Sequence, residues 1–217
     1  MNKVLNLTDM KIRKLRMTMN SSIIAVIIAT MLSFGITACK QTSQDSPNNK
    51  LAQTETTTFI TEQEIFDVQK AWGNGIVKIG KVYLENGDYK TTATEHINEF
   101  YNYQVGNVLF KPTLASVKQF RTDFQGALSY FVGGNENYPE DHGFAVKPWS
   151  SVRWENIGTK IIGNMAIAMG NYYFTPAKGG DDVKVEFSFA YTKNKDGKLK
   201  ILLHDSHLPY VPVEKHN

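Results

Sequence analysis

Apolar side chains return every three or four positions through Ile65, Val68, Trp72, Ile76, Ile79 and Tyr83, one continuous helical face. Thr61-Glu62-Gln63-Glu64 precedes it as a capping box, with Thr61 as N-cap and Glu64 as its reciprocal partner. Asn86-Gly87-Asp88 ends the helix. A second, shorter helix is predicted over Thr92 to Tyr101, with Ala93, Ile97 and either Phe100 or Tyr101 facing inward. From Val108 the texture changes. Val108-Leu109-Phe110-Lys111-Pro112 reads as a short strand, Pro112 suiting its end or a sheet edge. Leu128 to Val132 lies in a second apolar segment closed by Gly133-Gly134, and a polar loop runs on to about Lys147.

The last third predicts a meander, with strands at 151–157, 160–174, 183–193 and 198–206. Gly163-Asn164 interrupts the second, and Asp196-Gly197 is a hairpin signal between the third and fourth. Val183, Val185, Phe187, Phe189 and Tyr191 alternate with polar neighbours, so one face of that strand is buried. Helices first and a long antiparallel sheet afterwards indicate an α+β domain. The order resembles the cone-shaped folds of nuclear transport factor 2 and its relatives, in which helices pack in the concave face of a curved antiparallel sheet and leave a pocket.

The N-terminal pattern is different in kind. Residues 10–20 are cation-rich, Ile23 to Phe34 is almost uninterruptedly apolar, and Gly35-Ile36-Thr37-Ala38-Cys39 follows. That is a signal-peptide layout, and its ending looks like a lipobox. An uncleaved membrane anchor is the competing reading, but the run is short for the ~20 residues of a span, and it stops directly before the sole cysteine. The chain therefore divides into a lipoprotein signal at 1–38, a lipidated polar tether at 39–58 and a folded domain at 59–212. Translation starts at Met1 or at Met10. Lys40 is not the aspartate that retains lipoproteins at an inner membrane. The expectation is a bacterial envelope protein facing the periplasm, at the outer membrane where the host has one.

Charge changes little once the signal is set aside. The whole chain is +3, but five cations and one acid lie before Cys39, leaving 19 basic and 20 acidic residues. Nucleic acid is not an expected partner, because neutralising phosphates needs a cationic surplus. One cysteine excludes both an internal disulfide and a Cys-based zinc site.

Chemistry concentrates in the final strand, Leu199 to His207. A two-residue period sets His204 and Ser206 on one face beside Leu202, and Asp205 and His207 on the other. An imidazole and a hydroxyl on an otherwise apolar face need partners. A pocket supplies them, and so would bonds to neighbouring strands. His204 and His207 face opposite ways and cannot easily share a metal ion. Trp149 and Trp154 read as core residues, one of them placed to line a cavity. No nucleophile elbow, HExxH helix or P-loop is present.

Several long blocks carry a family resemblance: Val108-Leu109-Phe110-Lys111-Pro112-Thr113, Gly126 to Gly134, Val152-Arg153-Trp154-Glu155-Asn156, Ala168 to Phe174, and the histidine–serine end. In these the domain resembles the iota-class carbonic anhydrases. The resemblance implies the nuclear transport factor 2-like cone, a homodimer, and reversible hydration of carbon dioxide to bicarbonate. It also implies a bicarbonate pocket built from Thr113, Tyr130 and Ser206, with His204 near the serine; a one-residue shift would select Phe131, which has no hydroxyl. Family members usually show His-His-Ser-Ser on the last strand, whereas here it is His204-Asp205-Ser206-His207. Some members have been reported to need manganese or zinc. Here no cofactor is expected, since a catalytic zinc wants three protein ligands and only His204 falls in the pocket. The alternative function is a non-catalytic cone module that binds a small anion or apolar ligand. Relatives are often labelled phosphoribosyl-AMP cyclohydrolases, but that enzyme's essential cysteines are missing.

Overall fold

The capping box at Thr61 is formed. Its Oγ1 accepts from the Glu64 amide at 3.2 Å, and the Glu64 carboxylate accepts from the Thr61 amide at 2.9 Å. It opens α1 (Glu62–Leu84), which buries Ile65, Trp72, Ile76 and Ile79 as the periodicity requires. Tyr83 departs from that face: it is 43 % exposed and meets Tyr89 edge-on. These features come from a computed structural model that describes residues 59–213; the expected signal peptide, the expected lipidation site Cys39 and the expected tether lie outside the described residues.

Helix α2 (Tyr89–Phe100) starts earlier than the sequence suggested, because Asp88 caps it by accepting from the Thr91 amide at 3.0 Å. Ala93, Ile97 and Tyr101 face inward, and His96 is buried beside them. The short strand β1 (Leu109–Lys111) follows, and then the apolar segment before Gly133 proves to be a helix, α3 (Phe124–Val132). Asp123 caps its start, and Gly133 ends it at a φ of 69°, a left-handed value suited to glycine.

Four long strands complete the domain: β2 (Trp149–Ile162), β3 (Met165–Pro176), β4 (Val183–Lys193) and β5 (Leu199–His207). The sheet order is β1-β5-β4-β3-β2. The α+β arrangement is the expected one, with a refinement: β1 joins β5 in parallel, Leu109 opposite Leu203. Gly163-Asn164 is the turn between β2 and β3 rather than an interruption within a strand, and the predicted break near 158 is a register shift inside β2. A bulge keeps a strand continuous while bending it. Opposite it, Gly170 is required: a Cβ there would stand 2.0 Å from the Glu155 carbonyl oxygen. Strand β4 buries Val185, Phe187, Phe189 and Tyr191. α1 packs against β2 and β5, and α2 against β5 and α3.

Candidate active site

The final strand does not keep a simple two-residue period. Tyr191 lies opposite Ile201 and Ala190 opposite Leu203, so Leu202 is a bulge residue. Ile201, not Leu202, is therefore the buried neighbour on the inner face. Beyond the bulge the alternation resumes: His204 opposes Phe189 and Ser206 opposes Phe187, and both are almost fully buried. Asp205 and His207 point to the outer face, where their side chains approach to 3.6 Å.

A cavity of about 190 Å³ opens over these residues, and Thr113, Tyr130, His204 and Ser206 all line it. Its remaining wall is largely aromatic and aliphatic, including Trp72, Phe110, Phe144 and Trp149. Thr113 sits two residues beyond β1, which pairs with β5, and this brings its Oγ1 to 2.9 Å from Ser206 Oγ across 93 residues of chain. Lys111 braces the same corner by donating to the Ser206 carbonyl at 2.8 Å. Tyr130 reaches the cavity from α3, its hydroxyl accepting from the Leu114 amide at 3.4 Å. Phe131, one residue on, turns into the core at 0 % exposure, so the helix sets which of the two faces the cavity.

A line of buried polar groups runs from behind the cavity to its wall, where Tyr172 stands among the lining residues. Trp72 Nε1 donates to the Tyr101 hydroxyl at 3.1 Å, Tyr101 meets His204 Nδ1 at 2.8 Å, and His204 Nε2 lies 3.3 Å from the Tyr172 hydroxyl. Burial drives the imidazole of His204 well below its ordinary pKa, so it is uncharged at neutral pH. Burial raises Tyr130 to about 12 and lifts Tyr172 as well, although the neighbouring Ser206 and Thr113 hydroxyls work against the rise in Tyr172. Every hydroxyl here keeps its proton and is available as a hydrogen-bond donor.

The loop after Thr113 is held by a carboxylate. Glu140 accepts from the amides of Ser116, Val117 and Lys118 at 2.8–2.9 Å, which lowers its pKa to about 2. Its neighbour Asp141 receives the buried Arg121 guanidinium at 2.8 Å and the Ser129 hydroxyl at 2.6 Å. The loop carrying Thr113 and the helix carrying Tyr130 are thereby fastened to one another.

Sequence reasoning did not single out Tyr101 or Tyr172 as site residues. Both are aromatic and inward-facing, as any core tyrosine would be, and their hydroxyl partners lie 29 to 103 residues away. Among the described residues no three of His, Cys, Asp and Glu are grouped to hold a metal ion.

A family model described as metal-independent carbonic anhydrase matches residues 63–208. A curated relative of that description from Nostoc sp. (strain PCC 7120) is 41 % identical over 197 residues, covering 87 % of this chain and 96 % of its own length. The crystal structure of an iota-carbonic anhydrase from a cyanobacterium, complexed with bicarbonate, matches with a TM-score of 0.69 and 43 % identity, covering 71 % of this chain and 96 % of that one. A nuclear transport factor 2-like protein from Salmonella enterica matches at 14 % identity and a TM-score of 0.44, covering 76 % and 99 %.

Proposed function

The chain belongs to the metal-independent carbonic anhydrases, and from that premise we propose how its cavity hydrates carbon dioxide and where the enzyme works. The observation that carries the reading is the Thr113–Ser206 hydroxyl pair at 2.9 Å in a cavity shared with Tyr130. Carbon dioxide, which is apolar, enters against Trp72, Phe110 and Phe144. A water held by the hydroxyl pair is thereby placed within reach of its carbon, and proximity alone removes much of the barrier. As the new C–O bond forms, one O–H bond of the water breaks and its proton leaves to solvent at the cavity mouth, while fixed hydroxyl donors stabilise the negative charge that grows on the substrate oxygens. The structural relative's bicarbonate supports the same reading, since that product offers three oxygens to such donors. Hydration followed by stopped flow should persist after exhaustive chelation. Loss of activity that only zinc or manganese restores would overturn a metal-free mechanism.

The proposal extends to location. The lipobox at Cys39 and the polar tether after it support a lipid-anchored enzyme in the bacterial envelope, facing the periplasm. Cys39→Ala should abolish incorporation of labelled palmitate and release a soluble or unprocessed form; continued labelling would refute it. Among the described residues no helix is long and apolar enough to cross a membrane.

A homodimer is also proposed. The outer face of β3 exposes Met165, Ile167 and Met169 to 41–55 %, beside the smaller Ala190 and Ser188 of β4. Such a patch suits an isologous contact between two copies. Light scattering should give twice the chain mass, falling to one chain in Ile167→Asp. A monomeric wild type would exclude the dimer.

A further inference from the structure

We infer that Tyr101 fixes the tautomer of His204 and thereby turns the Tyr172 hydroxyl toward the cavity as a donor to the substrate oxygens, making Tyr172 a further catalytic residue and Tyr101 a positioning one. The inference rests on the reading of the cavity given above. Some groups in this line can only give a proton. An indole N–H donates and never accepts, so the 3.1 Å contact from Trp72 occupies a lone pair of the Tyr101 oxygen. Tyr101 is fully buried and has a proton of its own to place. Its contact at 2.8 Å with His204 Nδ1 supplies the acceptor.

A neutral imidazole carries one N–H. With Nδ1 accepting, the proton of His204 sits on Nε2 and is given to the Tyr172 oxygen at 3.3 Å. The proton of Tyr172 is then free to point to the side where Ser206 and Thr113 stand. The line acquires a direction, Trp72 to Tyr101 to His204 to Tyr172, with each member donating forward. Carbon dioxide has only acceptor oxygens, so a cavity that receives it needs donors. The opposite tautomer would draw the Tyr172 proton back onto Nε2 and leave that wall with lone pairs alone. The four rings are all at most 3 % exposed, which keeps bulk water from competing for these bonds. A protonated His204 would donate from both nitrogens and leave the Tyr101 proton without an acceptor. The burial that holds the imidazole neutral also preserves the direction.

The test is a long-range proton–nitrogen correlation on the nitrogen-15-labelled enzyme, with the His204 signals assigned through their loss in His204→Asn. The expected result is an Nε2-protonated neutral ring near pH 7. An Nδ1-protonated ring in the wild type overturns the inference, and this holds whether or not any variant folds. Tyr101→Phe should mix the tautomers and lower kcat/KM roughly tenfold or more, because an imidazole in the wrong tautomer loses catalytic power. Tyr172→Phe should lower it by about two to three powers of ten, as for a lost oxyanion donor. A folded Tyr101→Phe with unchanged tautomer and unchanged rate overturns the role of Tyr101. Full activity in Ser206→Ala would instead remove the hydroxyl-site reading and leave the tautomer result standing.

Discussion

Ser206→Ala is expected to lower kcat/KM for carbon dioxide hydration by about two to three powers of ten, equivalent to roughly 3–4 kcal/mol of lost transition-state stabilisation. Ser206 is 1 % exposed and its hydroxyl bonds that of Thr113, so its removal leaves Thr113 short of a bond and the reacting water without one of its two holders. The change deletes one oxygen from a strand held by its own ladder, and stability should fall by no more than about 1–3 kcal/mol. A stopped-flow comparison with Asp205→Ala separates chemistry from general damage. Asp205 faces the opposite side of the same strand, where His207 Nδ1 lies 3.6 Å from its carboxylate. Its loss should leave the rate nearly unchanged. A serine variant as fast as the wild type would dissolve the proposed site.

Trp72→Ala should have the largest effect on stability. The indole is 1 % exposed and packs edge-on against Trp154, Tyr172 and His204 at ring separations of 5.6–6.1 Å, joining α1 to three strands. Emptying such a position costs about 3–5 kcal/mol through lost transfer energy and the cavity left behind. For a domain of this size the melting midpoint should fall by roughly 10 °C. Trp72→Phe fills most of the volume and should recover most of the midpoint. Circular dichroism melting curves decide the matter: an alanine variant melting within about 2 °C of the wild type would show that the indole is not central.

The parts legible in the sequence are those whose signal is local. The capping box and the apolar face of α1 need only one turn of context, and the alternation in β4 is visible because its inner face is buried end to end. Strand β2 has no sharp limits in the sequence, because nearly all of it is exposed or half-buried and its bulge hides the phase. Helix α3 is a nine-residue, mostly apolar run, and at that length a buried helix and a buried strand carry the same sequence signature. His204 and Ser206 stood out as polar groups in an apolar strand. The bulge at Leu202 that sets their phase has no local signature. Tyr101 and Tyr172 owe their placement to partners far away in the chain, which only the assembled sheet supplies.

The parallel pairing of β1 with β5 has a consequence for biogenesis. A three-residue strand has no independent stability, and the partner of β1 is the last strand to be made. During synthesis the segment bearing Thr113 must wait, unpaired, while β2, β3 and β4 are completed. The low-cost helices and hairpins can form early, but the pairing that joins Thr113 to Ser206 is among the most distant in the chain, and such contacts close slowly. The enzyme should therefore acquire its compact shape before its catalytic competence. Chains cut short before residue 199 would be expected to retain α1, α2 and the β2–β4 hairpins yet have no hydration activity at all.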